Sequence, residues 1–311
     1  MKFIPDPVLL DSPRRRPEMF HRVDSVNESF NCESPDLSGK HKSPLVVIGN
    51  GLAAISLLSY LYHEVPNIYP EIIAIGREPG FGNRFFRRCD SIEQRTLRSP
   101  YEHHLGTHGH GECELIDFAR FSWEMLTDIE KGQVRMAQGG HRSVVPMDIF
   151  EAHTKHVIET HAMGKLMRRG EVLSIERFDD NYIVRGNDFE VQAKMVVICT
   201  GEKRNNEHPY ANRQTHFWDE CEDLPGGSAI AVSGAGLSAA YILTLLLGRY
   251  DQVHWITREQ PRFQCSDVDS RFFRPEGRAV FRNASDEEKQ EMIALHRRAS
   301  IMLEFEPKLK R

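Results

Sequence analysis

Two short stretches of this chain carry residue types at a spacing that suits chemistry. The first is VVIGNGLAA, with Gly49, Gly51 and Ala54 in a GxGxxA pattern. The second, AVSGAGLSAAY, repeats the pattern with Gly234, Gly236 and Ala239. In such a turn the first glycine permits a tight exit from a strand. The second has no Cβ, so a diphosphate can approach the backbone, and the alanine lets the helix pack close to the strand. A helix starting there points free N–H groups and its positive dipole end at the phosphates. A lone GxGxxA is weak, and a purely structural glycine turn is the alternative. The weight comes from context, because each turn follows an apolar strand and opens an apolar helix. Two such turns in one chain imply two nucleotides.

The residues that end the strand after each turn bear on which nucleotide fits. An acidic side chain there meets the ribose of NAD or FAD, whereas an arginine accommodates a 2′-phosphate. After EIIAI come Gly76, Arg77 and Glu78, so the acid is displaced by about two positions and Glu78 is the candidate. After VHWIT comes Arg258 and no acid. That favours NADPH over NADH at the second turn, with an ordinary surface arginine as the alternative.

The elements that must position these turns follow from periodicity. LVVIG, from Leu45, reads as a strand covered on both faces, followed by a helix over about 52–62 and a strand at 71–76. This β-turn-α-β order forms a right-handed parallel crossover. One helix is expected around 115–129 and an amphipathic one from Met147. EVLSIERFDD, NYIVRGND and FEVQAK read as a small antiparallel meander, and MVVICTG as a second apolar strand ending at Gly201. A second β-turn-α-β covers AIAVSG, a helix over about 237–247, and QVHWIT. A last helix over 286–303 has Ser285 as its N-cap. The expected class is α/β, with two Rossmann-like dinucleotide-binding domains and a small meander. Its divisions are a loosely structured segment at 1–43, a first domain at 44–204, a linker at 205–227 and a second domain at 228–311.

Composition excludes several other classes. With 311 residues, 40% of them hydrophobic and a net charge of -5, the chain reads as an ordinary globular protein without the basic surface of a nucleic-acid binder. Arg14–Arg16 read as solvated surface. No apolar run reaches the ~20 residues of a membrane span, and the N-terminus lacks the order of a secretory signal. Six scattered cysteines form no CxxC pair, so a reducing cytoplasm is the expected location, and Cys199 reads as core. HHLGTHGHGE gathers His103, His104, His108, His110 and Glu112, but its glycines disfavour the helix that would converge them, so it reads as a flexible or cofactor-adjacent loop and no metal site is expected. Ser143 lacks a GxSxG elbow, which disfavours a hydrolase. His141 and Arg142 read as structural rather than phosphate-binding.

The strand-GxGxxA-helix, the VVICTG strand after a meander, and the second strand-GxGxxA-helix together resemble the two-dinucleotide-binding flavoproteins. Within them the chain is most similar, over about 45–305, to the FAD- and NADPH-dependent N-hydroxylating monooxygenases of lysine/ornithine hydroxylase type. The resemblance implies FAD on Gly49, Gly51 and Ala54, with Gly201 closing the FAD domain beneath the flavin. It implies NADPH on Gly234, Gly236 and Ala239, with Arg258 at the 2′-phosphate, and RTLRSPYEHH (Arg95–His104) running past the flavin ring. Reduction of FAD by NADPH and transfer of one oxygen atom to an amine-type small molecule is the implied chemistry, with the catalytic residues unassigned and a homo-oligomer left open. The family returns to its first domain after the second, and no matching strand follows Arg258, so the part completing the second domain is expected to be missing. A simple NADPH:acceptor flavin reductase and a non-catalytic, partner-binding remnant are the alternatives.

Overall fold

A computed structural model describes residues 10, 14–15, 17–20, 37–201, 227–265, 272, 275–296 and 300–310. Its spine is a six-stranded sheet in the order β5-β2-β1-β8-β7-β6. These strands are β1 Gly39–Ile48, β2 Ile73–Gly76, β5 Met167–Arg169, β6 Ser174–Phe178, β7 Asn181–Arg185 and β8 Phe189–Ile198. β5, β2, β1 and β8 run parallel, and β8, β7 and β6 are antiparallel, as the meander predicts.

β1 is longer than its apolar half. It starts at Gly39, inside the segment expected to be loose, and pairs with β8 from Gly39↔Phe189 to Ile48↔Ile198. FEVQAK and MVVI are likewise one strand rather than two. The first half of β8 carries the meander and its second half joins the parallel sheet. The polar residues 40–43 form strand because β8 supplies a hydrogen-bonding partner, which overrides their weak propensity.

Helix α1 (Leu52–Glu64) returns the chain from β1 to β2. It packs one face of the sheet together with α2 (Asn83–Ser91), α3 (Leu115–Phe121), α4 (Asp128–Gln138) and α5 (Met147–Thr160), burying Val47, Ile55, Leu58, Phe86, Leu115, Val134 and Phe150. On the other face Val46, Ile48 and Ile75 pack with Val184 and Phe189. The single helix expected at 115–129 is instead α3, a 3-10 turn and α4. Thr127 restarts the helix because its side chain accepts from the Glu130 N–H while the Glu130 carboxylate accepts from the Thr127 N–H.

The second unit is one β-α-β, with β9 (Gly227–Ser233), α6 (Leu237–Leu246) and β10 (Tyr250–Ile256) in a two-stranded parallel sheet. Among the described residues three helices follow: α7 (Pro275–Asn283), which the apolar pattern does not announce, α8 (Asp286–His296) and the short α9 (Glu306–Leu309). Ser285 does cap α8, paired with Glu288, but Ser300 lies outside any helix and residues 303–305 form a 3-10 turn, so α8 does not run on to 303. The expected linker lies outside the described residues except for Gly227, which opens β9. Among the described residues no helix is long and apolar enough to cross a membrane.

The units meet at β3 (Thr96–Leu97), which pairs with β4 (Val145–Pro146). The Tyr241 hydroxyl on α6 accepts from the Thr96 N–H at 3.1 Å and lies 2.7 Å from the Thr96 hydroxyl. Arg98 donates to the carbonyls of Ser300 (2.9 Å) and Gln264 (2.8 Å). Arg142 makes a bidentate pair with Glu304, which is 2% exposed, so its role is structural as expected.

Most of 1–36 is outside the described residues, but what is described is anchored. Phe20 is 2% exposed within the main core. Arg14 pairs with Asp90 and Glu151. Arg15 donates to Asp148 at 2.8 Å, Glu130 at 2.5 Å and the Met125 carbonyl at 2.7 Å. These two arginines are therefore ties to α2, α4 and α5, not solvated surface. Asp148 and Glu130 are nearly inaccessible, and removing their common cation strands two buried carboxylates. Arg15→Met is expected to lower the unfolding free energy by about 3 kcal/mol or more, measured by urea denaturation. A loss below about 1 kcal/mol, the scale of an exposed pair, would refute the tie.

Candidate functional site

β1 is the strand at which the order of the parallel sheet reverses, with β2 on one side and β8 on the other. Open α/β sheets bind ligands in the crevice beyond the carboxyl ends of such strands. Gly49 leaves β1 there with φ +114°, a left-handed backbone that disfavours any side chain. A Cβ on it would lie 2.4 Å from the Cys199 carbonyl oxygen. Its N–H donates to the Ile75 carbonyl at 2.7 Å, and the Cys199 N–H donates to the Ile48 carbonyl at 2.7 Å. Gly49 and Cys199 are therefore in direct backbone contact where β1 and β8 end. Gly201, two residues on, has φ +74°, and among the described residues no atom lies within 4 Å of where its Cβ would be.

Gly51 is the N-cap of α1, in extended conformation, with no side-chain cap and no acidic residue in the first turn. Nothing lies within 4 Å of its missing Cβ. Ala54, fully buried, packs the helix against the strand. The second turn repeats the arrangement. Gly234 has φ +135°, and among the described residues a Cβ there would meet only Ala239, at 3.6 Å. Gly236 caps α6 in extended conformation, again without a side-chain cap, without an acid in the first turn and with open space above it. β10 latches this turn, since the Trp255 indole donates to the Gly234 carbonyl at 2.7 Å and Gly234 N–H to the Ile256 carbonyl at 3.0 Å. Neither helix start carries a side-chain cap, unlike α4 with its capping box.

Asn50, a residue that spacing alone does not single out, organises the first turn. Its side-chain amide donates to the carbonyls of Glu78 (2.9 Å) and Gly80 (3.0 Å), and its backbone carbonyl accepts from Gly82 N–H at 2.8 Å. It fills the volume beside Gly76, where a Cβ would lie 2.4 Å from Asn50 Cγ. An acid at position 76 has no room while Asn50 keeps this position. Glu78 does lie against the turn through its backbone, and its carboxylate accepts two bonds from Arg87, at 3.1 and 3.2 Å. Arg258 is exposed, two residues beyond β10. Of the predicted residues, Gly49, Gly51, Ala54, Glu78 and Gly201 come together at the first turn. Gly234, Gly236 and Ala239 come together at the second, with Arg258 at the end of its sheet.

Arg95–His104 is a joint rather than a free loop, because Thr96 and Arg98 are bonded to the second unit. The histidine-rich stretch is non-helical up to the 3-10 turn Gly111–Cys113, as its glycines imply. There the His104 ring lies 2.7 Å from Glu114, which also accepts from Gly109 N–H. His153, on α5, is fully buried, and burial pushes its imidazole down to about 3. It is therefore neutral and donates to the Cys113 carbonyl at 2.8 Å.

No family model matches this sequence. No curated protein matches it either. Solved structures do share its fold. The ornithine N-hydroxylase of Kutzneria sp. 744, described with reduced FAD, NADP+ and L-ornithine, has a TM-score of 0.66 at 17% identity, covering 87% of this chain and 67% of that one. The ornithine hydroxylase of Pseudomonas aeruginosa has 0.64 at 15%, covering 86% and 68%. The L-lysine 6-monooxygenase of Pseudomonas syringae has 0.59 at 16%, covering 86% and 67%. The α/β architecture is thus that of N-hydroxylating flavoproteins, of whose length this chain spans about two thirds.

The glycines separate by mechanism. Gly49→Ala is expected to cost more than about 2 kcal/mol of stability, from its left-handed backbone and the clash with Cys199. Gly51→Ala and Gly236→Ala, in backbone any residue adopts and with open space for a methyl, are expected to stay within about 1 kcal/mol of wild type. Thermal melts of the three variants check this, and equal losses in all three would make the turns purely structural.

Proposed function

We propose that the first turn holds FAD, the second NADPH, and that the chain is a flavin-dependent oxidoreductase acting on an amine-type small molecule. The supporting observation is the repeated site: two helix N-termini, each capped by an extended glycine with open space where its side chain would be and no competing acid. Each anion-binding end lies beyond a parallel strand, where a diphosphate fits. In this reading the FAD unit runs from the start of β1 at Gly39, rather than from 44, to 204, with 205–227 the linker and 228–311 the NADPH unit.

At the first turn Gly51 and the opening N–H groups of α1 bind the diphosphate, with Ala54 keeping α1 against β1. Glu78 takes the ribose hydroxyls, held in place by Arg87. Gly201 lets the chain pass the crevice without a side chain. At the second turn Gly236 and the start of α6 bind the diphosphate, and Arg258 pairs with the 2′-phosphate. When bound, FAD supplies hydride acceptance and oxygen activation, and the protein binds and orients it. The shared fold with ornithine and lysine hydroxylases supports an amine as substrate class.

Three measurements test this. The purified protein is expected to carry FAD, or to take it up on reconstitution, with Gly51→Ala weakening uptake by about tenfold or more. Failure of the wild type to bind FAD would overturn the flavoenzyme reading. Arg258→Ala is expected to weaken NADPH but not NADH. Equal effects on both would remove the 2′-phosphate assignment. With flavin bound, amine-dependent NADPH oxidation yielding a hydroxylamine supports hydroxylation, and amine-independent dye reduction points to a simple reductase.

A further inference from the structure

Three side chains far apart in sequence converge beneath the histidine-rich loop. His63 lies in the last turn of α1, Cys113 ends the 3-10 turn Gly111–Cys113, and His161 is the C-cap of α5. His63 Nε2 and His161 Nε2 are 3.0 Å apart. Cys113 Sγ is 3.6 Å from the first and 3.4 Å from the second. A tetrahedral zinc ion, with Zn–N about 2.0 Å and Zn–S about 2.3 Å, sets its ligands roughly 3.3 Å apart for N···N and 3.6 Å for N···S. The observed triangle is within a few tenths of an ångström of those edges.

The surroundings fix the ligand atoms as a metal site does. His161 Nδ1 is 2.7 Å from the Val157 carbonyl, which can only accept, so Nδ1 carries the proton and Nε2 presents its lone pair to the cluster. An imidazole that donates its remote N–H to a backbone carbonyl is the usual support of a metal-bound histidine. Tyr69 donates to the His161 carbonyl at 2.9 Å, and the Tyr62 ring packs edge-on against His161. Cys113 is fully buried, its carbonyl bonded by His153 and its backbone covered by Gly106, where a Cβ would come within 2.3 Å of the Cys113 carbonyl oxygen. His110 stacks on His63 with ring centroids 3.6 Å apart.

We propose that His63, Cys113 and His161 form a binding site for a zinc-class divalent cation that ties the 103–113 loop to the ends of α1 and α5. Binding displaces the Cys113 thiol proton and forms a metal–thiolate bond, with two neutral imidazoles completing three protein ligands. Water or a fourth protein donor takes the remaining position. Thiolate and imidazole together suit zinc over magnesium or calcium, which prefer oxygen ligands. The site lies at the far end of α1 from Gly51, about 18 Å along a helix of this length at ~1.5 Å per residue, and does not depend on the flavin assignment.

The test uses the full chain with any affinity tag removed. Zinc is measured by elemental analysis, and metal-depleted protein is titrated with Co2+. One cobalt per chain is expected, with tetrahedral visible bands and a thiolate-to-cobalt charge-transfer band. Cys113→Ser is expected to abolish the charge-transfer band, and His63→Gln to lose stoichiometric retention, with folding followed by circular dichroism. Failure of the wild type to retain cobalt, or an unchanged band in Cys113→Ser, would overturn the site and leave a hydrogen-bonded triad. Should Cys113→Ser fail to fold, X-ray absorption at the cobalt edge of the wild type decides: a sulfur neighbour supports the site and its absence refutes it.

Discussion

The backbone of Gly49 passes so close to the Cys199 carbonyl that no side chain fits between them. This contact fixes how β1 and β8 end together, and much else follows from it. The pairing of these strands from Gly39↔Phe189 to Ile48↔Ile198 brings the segments that hold Gly51 and Gly201 to the same end of the sheet. The same strand exit sets the start of α1, which carries no side-chain cap. The second unit solves the same problem more loosely, since among the described residues a Cβ on Gly234 would meet only the methyl of Ala239. Its turn relies instead on the Trp255 latch from β10.

Buried ion pairs and directed hydrogen bonds, not apolar packing alone, hold the segments that the sheet does not reach. Arg15 gathers Glu130 and Asp148, and Arg98 gathers the carbonyls of residues 264 and 300. Each works because a guanidinium offers several donors in a fixed fork, so one side chain fixes several strands of chain at once. Such ties define geometry more than they add net stability, since desolvating the charges offsets most of the attraction.

Both β-turn-α-β units were legible because every signal lies within one local stretch: an apolar strand, a glycine pair and an apolar helix. The meander was legible from alternation, though its last strand and the VVI strand proved continuous. Residues 40–43 were not legible as strand, because their partner lies about 150 positions away and their own chemistry is polar. The break between α3 and α4 did carry a signal, Thr127 three residues before Glu130, which apolar periodicity across 115–129 hides. The role of Asn50 was invisible because the space it fills belongs to Gly76. The convergence of His63, Cys113 and His161 was invisible for the same reason as the Thr96–Tyr241 joint: only the fold makes these residues neighbours.

The Asn50 side chain lies where a side chain at position 76 would lie, and it braces the loop that carries Glu78. Positions 50 and 76 therefore behave as one compound residue. A larger group at 76 is admissible only when 50 gives up its volume, and then the loop loses its brace. Side-chain volume at 76 and rigidity of the turn are exchanged for one another at this pair, so enlarging position 76 is a two-site problem that no single substitution can solve.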